Sequence, residues 1–282
     1  MEILNNSDVV CEDFSKNGFT VVRQLFGSEE VNVLRDHYMD LRHKGTYPDD
    51  LVGADIGSDD PLKRYPRMIH MHRWDDISRQ WLLDGRIAAY LKLFLTDEPL
   101  AVQSMLYFKP PKARGQALHQ DQFYLRAKPG TCMAAWLALD DCDTENGCMR
   151  AVAGSHNWPL LCPTPADTSQ SFTDITVDLP PGESAEPILM NAGDVLFFNG
   201  TLVHGSYPNV STHRFRRSLI GHYIESRAEQ VAAFDQPVLR MDGSEYQIEE
   251  SAHGGACGVW VEMNGKPGIE MRTSPAQVAS HE

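Results

Sequence analysis

The sequence predicts a mainly β fold, a sandwich or barrel with helices packed outside it. The length of 282 residues is compatible with one domain, because all-β proteins of this size commonly form a single unit. Two helical patterns precede residue 100. Beyond that point the chain has short apolar runs separated by Gly, Pro, Asn and Asp, which is typical of successive strands: AVQSMLYF, CMAAWLAL, EPILM, DVLFF and RRSLIGHYI.

The N-terminal part, about residues 1–98, is predicted to begin with a strand and then a helix. GFTVVRQLF (18–26) has strand composition, and SEEVNVLRDHYMDL repeats apolar residues at helical spacing after an N-cap at Ser28. A second helix is predicted from about Asp76 to Leu95. The Gly-, Pro- and Asp-rich residues 44–65 between them predict a long loop.

The β core is expected at about residues 99–228, followed by a C-terminal extension at about 229–282 whose sequence predicts no clear secondary structure or role. Residues 157–187 are rich in Pro and Ser and predict a long excursion between strands, a candidate lid. No linker divides the chain, so we expect one domain over residues 1–282.

Composition argues against several classes of partner. The 25 Lys and Arg against 39 Asp and Glu give a formal net charge of -14, which opposes nonspecific attraction to nucleic acid and to anionic membranes. No run reaches the roughly 18 apolar residues of a membrane span, and the N-terminus lacks an apolar signal segment. The six cysteines form no CxxC pair, so we expect reduced thiols and a cytoplasmic protein.

The stretch LHQDQFYL, residues 118–125, contains a histidine and an aspartate two positions apart. On a strand, His119 and Asp121 project from one face and can share an ion, although a strand facing water shows the same alternation. Non-haem Fe(II) sites use two histidines and one carboxylate. His204, which is predicted to end the strongly apolar strand that contains DVLFF and is followed by Gly and Ser, is the best second histidine.

Other histidines are weaker candidates for a metal site. His70 and His72 alternate in the same way, but no later residue offers them a partner in comparable surroundings. His156 lies in a predicted loop and His222 in a predicted strand, and both positions are compatible with a structural histidine.

Several segments, in one order, resemble the phytanoyl-CoA dioxygenase family of Fe(II)/2-oxoglutarate oxygenases over roughly residues 10–225. They are NGFTVV, QSMLYFKPP, GQALHQDQFYL, AAWLALDDCDTENGCMRAVAGSH and GDVLFFNGTLVHGSYPNVSTHRFRRSL. The resemblance implies a double-stranded β-helix core, the jelly-roll or cupin-like fold, with His119, Asp121 and His204 as iron ligands. Asp121 also separates this chain from related halogenases, in which a small residue replaces the carboxylate.

The cosubstrate of the family, 2-oxoglutarate, has a distal carboxylate that suits an arginine, since a guanidinium donates two hydrogen bonds and stays charged. The family's arginine lies eleven residues after the distal histidine, where this chain has Phe215. Aligning FRRSL with the family pattern shifts the assignment by one residue to Arg216. Strand alternation then turns Arg217 outward, and Arg214 is the alternative.

Three more residues match cosubstrate contacts of the family, and each has a structural alternative. Ser206 resembles a serine that binds the same carboxylate, or is a turn residue. Trp136 matches a tryptophan of the cosubstrate pocket, or packs in the core. Gln116 resembles a glutamine that holds 2-oxoglutarate in some members, or lies in a surface loop.

The resemblance implies Fe(II), 2-oxoglutarate and O2, release of succinate and CO2, and hydroxylation of a C–H bond. Desaturation, epimerisation or oxidative cyclisation on the same scaffold is the alternative, and a non-catalytic jelly-roll binding protein is less favoured because the site residues are complete. We expect a small metabolite or natural product as the substrate, because no Lys/Arg cluster suits the phosphates of a coenzyme A thioester. The oligomeric state is not predicted.

Overall fold

The computed structural model describes residues 7–45, 47–48, 53–95, 97–252 and 255–274. Its helices are α1 (Ser7–Asn17), α2 (Ser28–His43), α3 (Pro61–Arg64), α4 (Asp76–Leu82), α5 (Gly85–Leu95) and α6 (Gln122–Leu125). Its strands are β1 (Phe19–Val22), β2 (Met68–Ile69), β3 (Pro99–Lys109), β4 (Gln116–His119), β5 (Met133–Ala138), β6 (Met149–Ala151), β7 (Thr164–Pro165), β8 (Ile175–Thr176), β9 (Glu186–Ile188), β10 (Val195–Asn199), β11 (His204–Ser206), β12 (Arg216–Glu225), β13 (Gln230–Val231), β14 (Val238–Arg240), β15 (Glu245–Tyr246), β16 (Glu249–Glu250), β17 (Gly255–Met263) and β18 (Lys266–Ser274).

Two antiparallel sheets form the core. The larger has the order β1-β10-β5-β12-β3-β14-β15, with β2 also paired to β3, and the smaller has the order β4-β11-β6-β9. Side chains of both sheets meet in one apolar cluster, where Trp136 and Ile220 of the larger sheet join Met149 and Ile188 of the smaller. The mainly β prediction is therefore confirmed.

The helices cover the other face of the larger sheet. Leu34 of α2 and Leu91 of α5 belong to the same apolar cluster as Leu137 of β5, whereas Trp136 of β5 belongs to the cluster between the sheets. Every residue of β5 is buried, because alternate side chains serve two different layers. This double burial explains why the run CMAAWLAL contains no polar alternation.

The N-terminal part contains the predicted strand followed by a helix, β1 and α2, but the prediction that it begins with the strand is wrong, because helix α1 comes first. Three further differences concern the sheet, the N-cap of α2 and the second helix. Strands β1 and β2 join the larger sheet, so this part is not purely helical. The N-cap of α2 is Gly27, whose N–H donates to the Glu30 carboxylate at 2.8 Å, so the predicted N-cap at Ser28 is wrong by one residue. The helix predicted from residue 76 to 95 is two helices, because Asp84 accepts the N–H of Arg86 at 2.8 Å and starts a new one.

Residues 157–187 fold against the C-terminal extension. Trp158 packs edge-on against Trp260 of β17, with ring centres 5.1 Å apart, and a disulfide joins Cys162 to Cys257. The expectation of reduced thiols is wrong for this pair, whereas the other four cysteines are free: Cys11, Cys132, Cys142 and Cys148.

The predicted loop at 44–65 contains α3, while residues 46 and 49–52 lie outside the described residues, as do 253–254 and 275–282 of the extension. None of the described helices is long and apolar enough to cross a membrane.

Candidate active site

The three predicted metal ligands lie together where the smaller sheet meets α6. His204 of β11 pairs directly with His119 at the end of β4. The Nε2 atom of His119 lies 3.3 Å from Oδ1 of Asp121, and Nε2 of His204 lies 3.6 Å from the same oxygen. One ligand atom from each residue lies within 4.8 Å of the other two, and all three residues are buried. The set is the two-histidine, one-carboxylate combination that binds non-haem iron.

The backbone reaches this arrangement differently from the sequence prediction. Strand β4 ends at His119, and Asp121 has the helical dihedral angles φ -61 and ψ -32 immediately before α6. His204 also does not end the apolar strand, because β10 stops at Asn199 and His204 begins a strand of the other sheet. Gln120 turns away from the ligands and donates from its amide to the carbonyl oxygens of Pro159 and Thr201.

Both histidine rings are oriented by the backbone. The Nδ1–H of His119 donates to the carbonyl of Ala117, and that of His204 donates to the carbonyl of Leu202, each at 2.9 Å. Since a carbonyl only accepts, Nδ1 carries the proton in both rings and Nε2 keeps a lone pair. The two Nε2 atoms therefore face the Asp121 carboxylate in the form that binds a metal ion.

Electrostatics keep two of these ligands ready for a cation. Burial lowers the pKa of His204 to about 4, and the neighbouring His119 contributes to the shift. Burial alone would raise the pKa of Asp121, but the neighbouring imidazoles of His204, His119 and His222 hold that pKa well below its ordinary value. At neutral pH the site thus contains a carboxylate beside a neutral imidazole at His204.

A fourth histidine at the site was missed by the sequence analysis. His222 of β12 is buried, and its Nε2 lies 3.1 Å from Oδ2 of Asp121. Its Nδ1 has no hydrogen-bond partner among the described residues. His222 lies six residues after Arg216 on one strand, so alternation places both side chains on one face. That signal was present in the sequence, but only the pairing of β12 brings His222 to Asp121.

The three candidate ligands open into a cavity of about 640 Å³. Both sheets line it, and so do the excursion at residues 157–187 and the C-terminal extension, through Leu160, Pro163, Phe172–Ile175, Ala232–Asp235 and Gly255–Cys257. The excursion predicted as a candidate lid is therefore a wall of this cavity.

Arg216 lines the same cavity at the start of β12 and is buried. Its Nε donates to the Gly147 carbonyl at 3.1 Å, its Nη1 donates to Ser218 Oγ at 2.7 Å, and its guanidinium carbon lies 5.3 Å from the Trp136 ring centre. Burial lowers the pKa of Arg216, although an arginine still stays protonated at neutral pH. No carboxylate of the described chain forms an ion pair with it. A buried cation without an anion is costly, so this position suits the carboxylate of a ligand.

The other two arginine candidates lie outside the cavity. Arg214 donates to Asp143 at 2.7 Å and to Glu145 at 3.2 Å. Arg217 forms an ion pair with Asp140 at 2.6 Å on the opposite side of β12, as strand alternation predicted.

Ser206, Trp136 and Gln116 all line the cavity. The Gln116 amide nitrogen lies 3.2 Å from His119 Nε2, and Gln116 pairs with Ser206 across β4 and β11. Lys109, which was not predicted to lie near the site, is buried and donates from Nζ to Ser206 Oγ at 2.7 Å. Burial holds the pKa of Lys109 well below its ordinary value. The residues present thus fit a dicarboxylate bound between the metal ligands and Arg216.

Comparison with known proteins decides the family. The profile of the phytanoyl-CoA dioxygenase (PhyH) family matches residues 14–218, which is more than half of the chain. The chain belongs to the phytanoyl-CoA dioxygenase family. Among curated relatives of this dioxygenase, phytanoyl-CoA dioxygenase 1 of Oryza sativa subsp. japonica is 25% identical over 248 residues, which cover 76% of this chain and 87% of the relative.

Solved structures share the fold of this dioxygenase. The epimerase SnoN in complex with Fe3+, alpha ketoglutarate and nogalamycin RO has a TM-score of 0.60 at 22% identity, covering 79% of this chain and 84% of SnoN. The carbocyclase SnoK from nogalamycin biosynthesis has a TM-score of 0.62 at 21% identity, covering 81% of this chain and 88% of SnoK. The protein is thus an Fe(II)- and 2-oxoglutarate-dependent dioxygenase with a double-stranded β-helix core, and O2 is its oxidant.

Proposed function

We propose that this dioxygenase hydroxylates a C–H bond of a small metabolite or natural product. The observation that carries the proposal is that the buried His119, Asp121 and His204 open into the same 640 Å³ cavity as the buried Arg216. Cavities of this volume are typical of small-molecule sites. In the overall reaction one oxygen atom of O2 enters the product, the other enters succinate, and 2-oxoglutarate loses CO2.

The side chains of the site have distinct proposed roles. His119, Asp121 and His204 would hold the iron on one side, and the bound iron would supply O2 activation at its remaining positions. The backbone carbonyls of Ala117 and Leu202 keep the two imidazole rings from rotating. The chain would thereby keep the Nε2 atoms of both rings in place to hold the ion.

The cosubstrate contacts are proposed in the part of the cavity between the metal ligands and Arg216. Arg216 would pair with the distal carboxylate of 2-oxoglutarate, and Ser206 would donate to the same group while accepting from Lys109. Trp136 would form the apolar wall beside the carbon chain, and Gln116 would contact the end near His119. These contacts would exclude water from the bound 2-oxoglutarate and fix its orientation in the cavity.

The test is anaerobic reconstitution followed by turnover. Fe(II) and 2-oxoglutarate together should produce a visible metal-to-ligand charge-transfer band, and O2 with a metabolite panel should release succinate and a product heavier by one oxygen atom. Absence of the band in folded protein would contradict the metal assignment. A product lacking two hydrogens, inverted at one carbon or cyclised would replace hydroxylation by the corresponding alternative.

The same panel tests the class of substrate. It should include phytanoyl-CoA, because the curated rice relative is named for that reaction. We expect free small molecules to be turned over and the thioester to be a poor substrate. Faster succinate release with the thioester would overturn the small-metabolite assignment.

We also propose that residues 1–282 act as one domain. Ala232–Asp235 and Gly255–Cys257 of the extension line the cavity that contains the metal ligands of the core. Limited proteolysis should therefore destroy 2-oxoglutarate-dependent activity when it removes the extension. A core that kept full activity without it would contradict this proposal.

A further inference from the structure

Asp235 is a buried carboxylate in the cavity wall that the proposed function does not use. It ends a short 3-10 turn, Ala233–Asp235, in the C-terminal extension. Its Oδ1 accepts a hydrogen bond from the Gln103 amide at 2.7 Å and lies 3.0 Å from Nε2 of His70. Two groups from distant parts of the chain thus hold one oxygen of this carboxylate in place.

The strand register places Asp235 at the metal end of the cavity. Gln103 of β3 pairs with His222 of β12, and His222 contacts the metal ligand Asp121. Arg216 lies six residues earlier on β12, which corresponds to roughly 20 Å along a strand. Asp235 therefore lies near the metal and far from the arginine proposed to bind the cosubstrate.

The second oxygen of Asp235 is available to a ligand. Both contacts involve Oδ1, and Oδ2 accepts no hydrogen bond from any residue that the structure describes. A buried carboxylate is costly unless its oxygens are hydrogen-bonded or paired, and this one lines the cavity. A hydrogen-bond donor entering the cavity would satisfy it.

We propose that Oδ2 of Asp235 binds a hydrogen-bond donor of the substrate, a hydroxyl or an ammonium group, and thereby directs a neighbouring C–H bond toward the iron. This inference rests on the proposed function, because it names the substrate class of the same cavity. A carboxylate at this end is disfavoured by repulsion from Asp235. Asp235 is a specificity-determining residue, and the substrate is a small alcohol or amine.

The test compares three probes that share one ring: cyclohexanemethanol, cyclohexanemethylamine and cyclohexanecarboxylate. Their dissociation constants for the full chain are measured by ligand-observed NMR without metal, and again through changes of the charge-transfer band with Fe(II) and 2-oxoglutarate. We expect the alcohol or the amine to bind at least tenfold more tightly than the carboxylate. Asp235→Asn should weaken binding of the amine at least tenfold, because the amide oxygen stays with Gln103 and the nitrogen that replaces Oδ2 cannot accept a hydrogen bond from an ammonium group. Binding of the alcohol should weaken less, because its hydroxyl can still accept a hydrogen bond from that nitrogen.

The matched control is Asp75→Asn. Asp75 forms the same kind of pair with His37, with Oδ1 and Nε2 also 3.0 Å apart, but it lies outside the cavity lining. Asp75→Asn should leave all three dissociation constants unchanged. If Asp235→Asn does not fold, Asp235→Ser replaces it with the same expected loss.

The proposal is overturned if the carboxylate binds most tightly, if none of the probes binds, or if folded Asp235→Asn binds all three like the unchanged chain. Failure of the proposed function is a different result. In that case the charge-transfer band and succinate release are absent, while the metal-free chain still binds the alcohol or amine through Asp235.

Discussion

Two segments of this chain have the same spacing of polar residues and different roles. His70 and His72 in MIHMHR alternate as His119 and Asp121 do in LHQDQF, and all four residues are buried. In the second segment Nε2 of His119 faces a carboxylate that His204 also approaches. In the first segment one nitrogen of each ring is bound to a side chain.

The partners of the first segment explain the difference. His70 Nε2 is bound to Asp235 at 3.0 Å, and Nδ1 of His72 is bound to Ser104 Oγ at 2.8 Å. The Nδ1–H of His119 instead donates a hydrogen bond to the carbonyl of Ala117. In LHQDQF the backbone satisfies one ring nitrogen of His119 and of His204, and the other nitrogen of each ring faces a carboxylate that both share. In MIHMHR the two rings contact different side chains and share no carboxylate among the described residues.

The largest effect is expected from removing the carboxylate that the histidines of each segment contact, Asp121 or Asp235. Asp121→Ala should weaken Fe(II) binding by at least about 100-fold and abolish succinate release, because a direct ligand contributes more than the partners that orient it. Asp235→Asn should bind Fe(II) like the unchanged chain. Anaerobic Fe(II) titration measures both, and equal losses would show that the two clusters share one function.

The next largest effect is expected at Arg216, at the end of the cavity away from the metal ligands. Arg216→Ala should raise the half-saturating concentration of 2-oxoglutarate by about 30-fold or more, since losing one partner of a buried charge pair costs about 2–5 kcal/mol. Fe(II) affinity should change little. Arg214→Ala is the control, because Arg214 is bound to Asp143 and Glu145, and an effect there equal to that of Arg216→Ala would refute the assignment.

A smaller effect is expected at the histidine that supports the metal carboxylate. His222→Ala should lower Fe(II) affinity by about tenfold, because partners of metal ligands typically contribute tenfold to 100-fold. His222→Gln should restore most of it, since its amide can donate to Oδ2 of Asp121 as Nε2 does. Identical Fe(II) titrations for the two variants would indicate that His222 only fills space.

A last effect is expected on the stability of the fold at His72, and it depends on pH. Burial, followed by repulsion from His70, lowers the pKa of His72 to about 3. The unfolded chain takes up this proton near pH 6.5 and the folded chain only near pH 3, so stability is lost as the pH falls between these values, by about 1.4 kcal/mol per pH unit.

Replacing His72 by Asn should therefore flatten the pH dependence of the unfolding free energy by about 1.4 kcal/mol per unit between pH 6 and 4. Urea unfolding at several pH values measures it. An unchanged slope would show that His72 is accessible to protons in the folded state.

The β fold could be predicted because it depends on local pattern, and the same kind of pattern led to the three proposed metal ligands. The apolar runs of the strands identified the β core, and the residue types at 119, 121 and 204 identified the chemistry. The geometric reason given for Asp121 was nevertheless wrong, since a turn into α6 and not strand alternation places it. The split between α4 and α5 was also missed, because Asp84 acts as a local cap within a continuous apolar pattern.

The amino-acid sequence is enough to tell which residue types can bind iron and a dicarboxylate, because ligand chemistry belongs to the side chain. Which histidines can bind a metal ion depends on the three-dimensional contacts of their rings. His222 and Asp235 reach the cavity, and Lys109 reaches Ser206 in its lining, through strand pairing and through contacts 97 to 165 residues apart in the chain. Such contacts have no local signature, because they depend on which distant strands lie side by side.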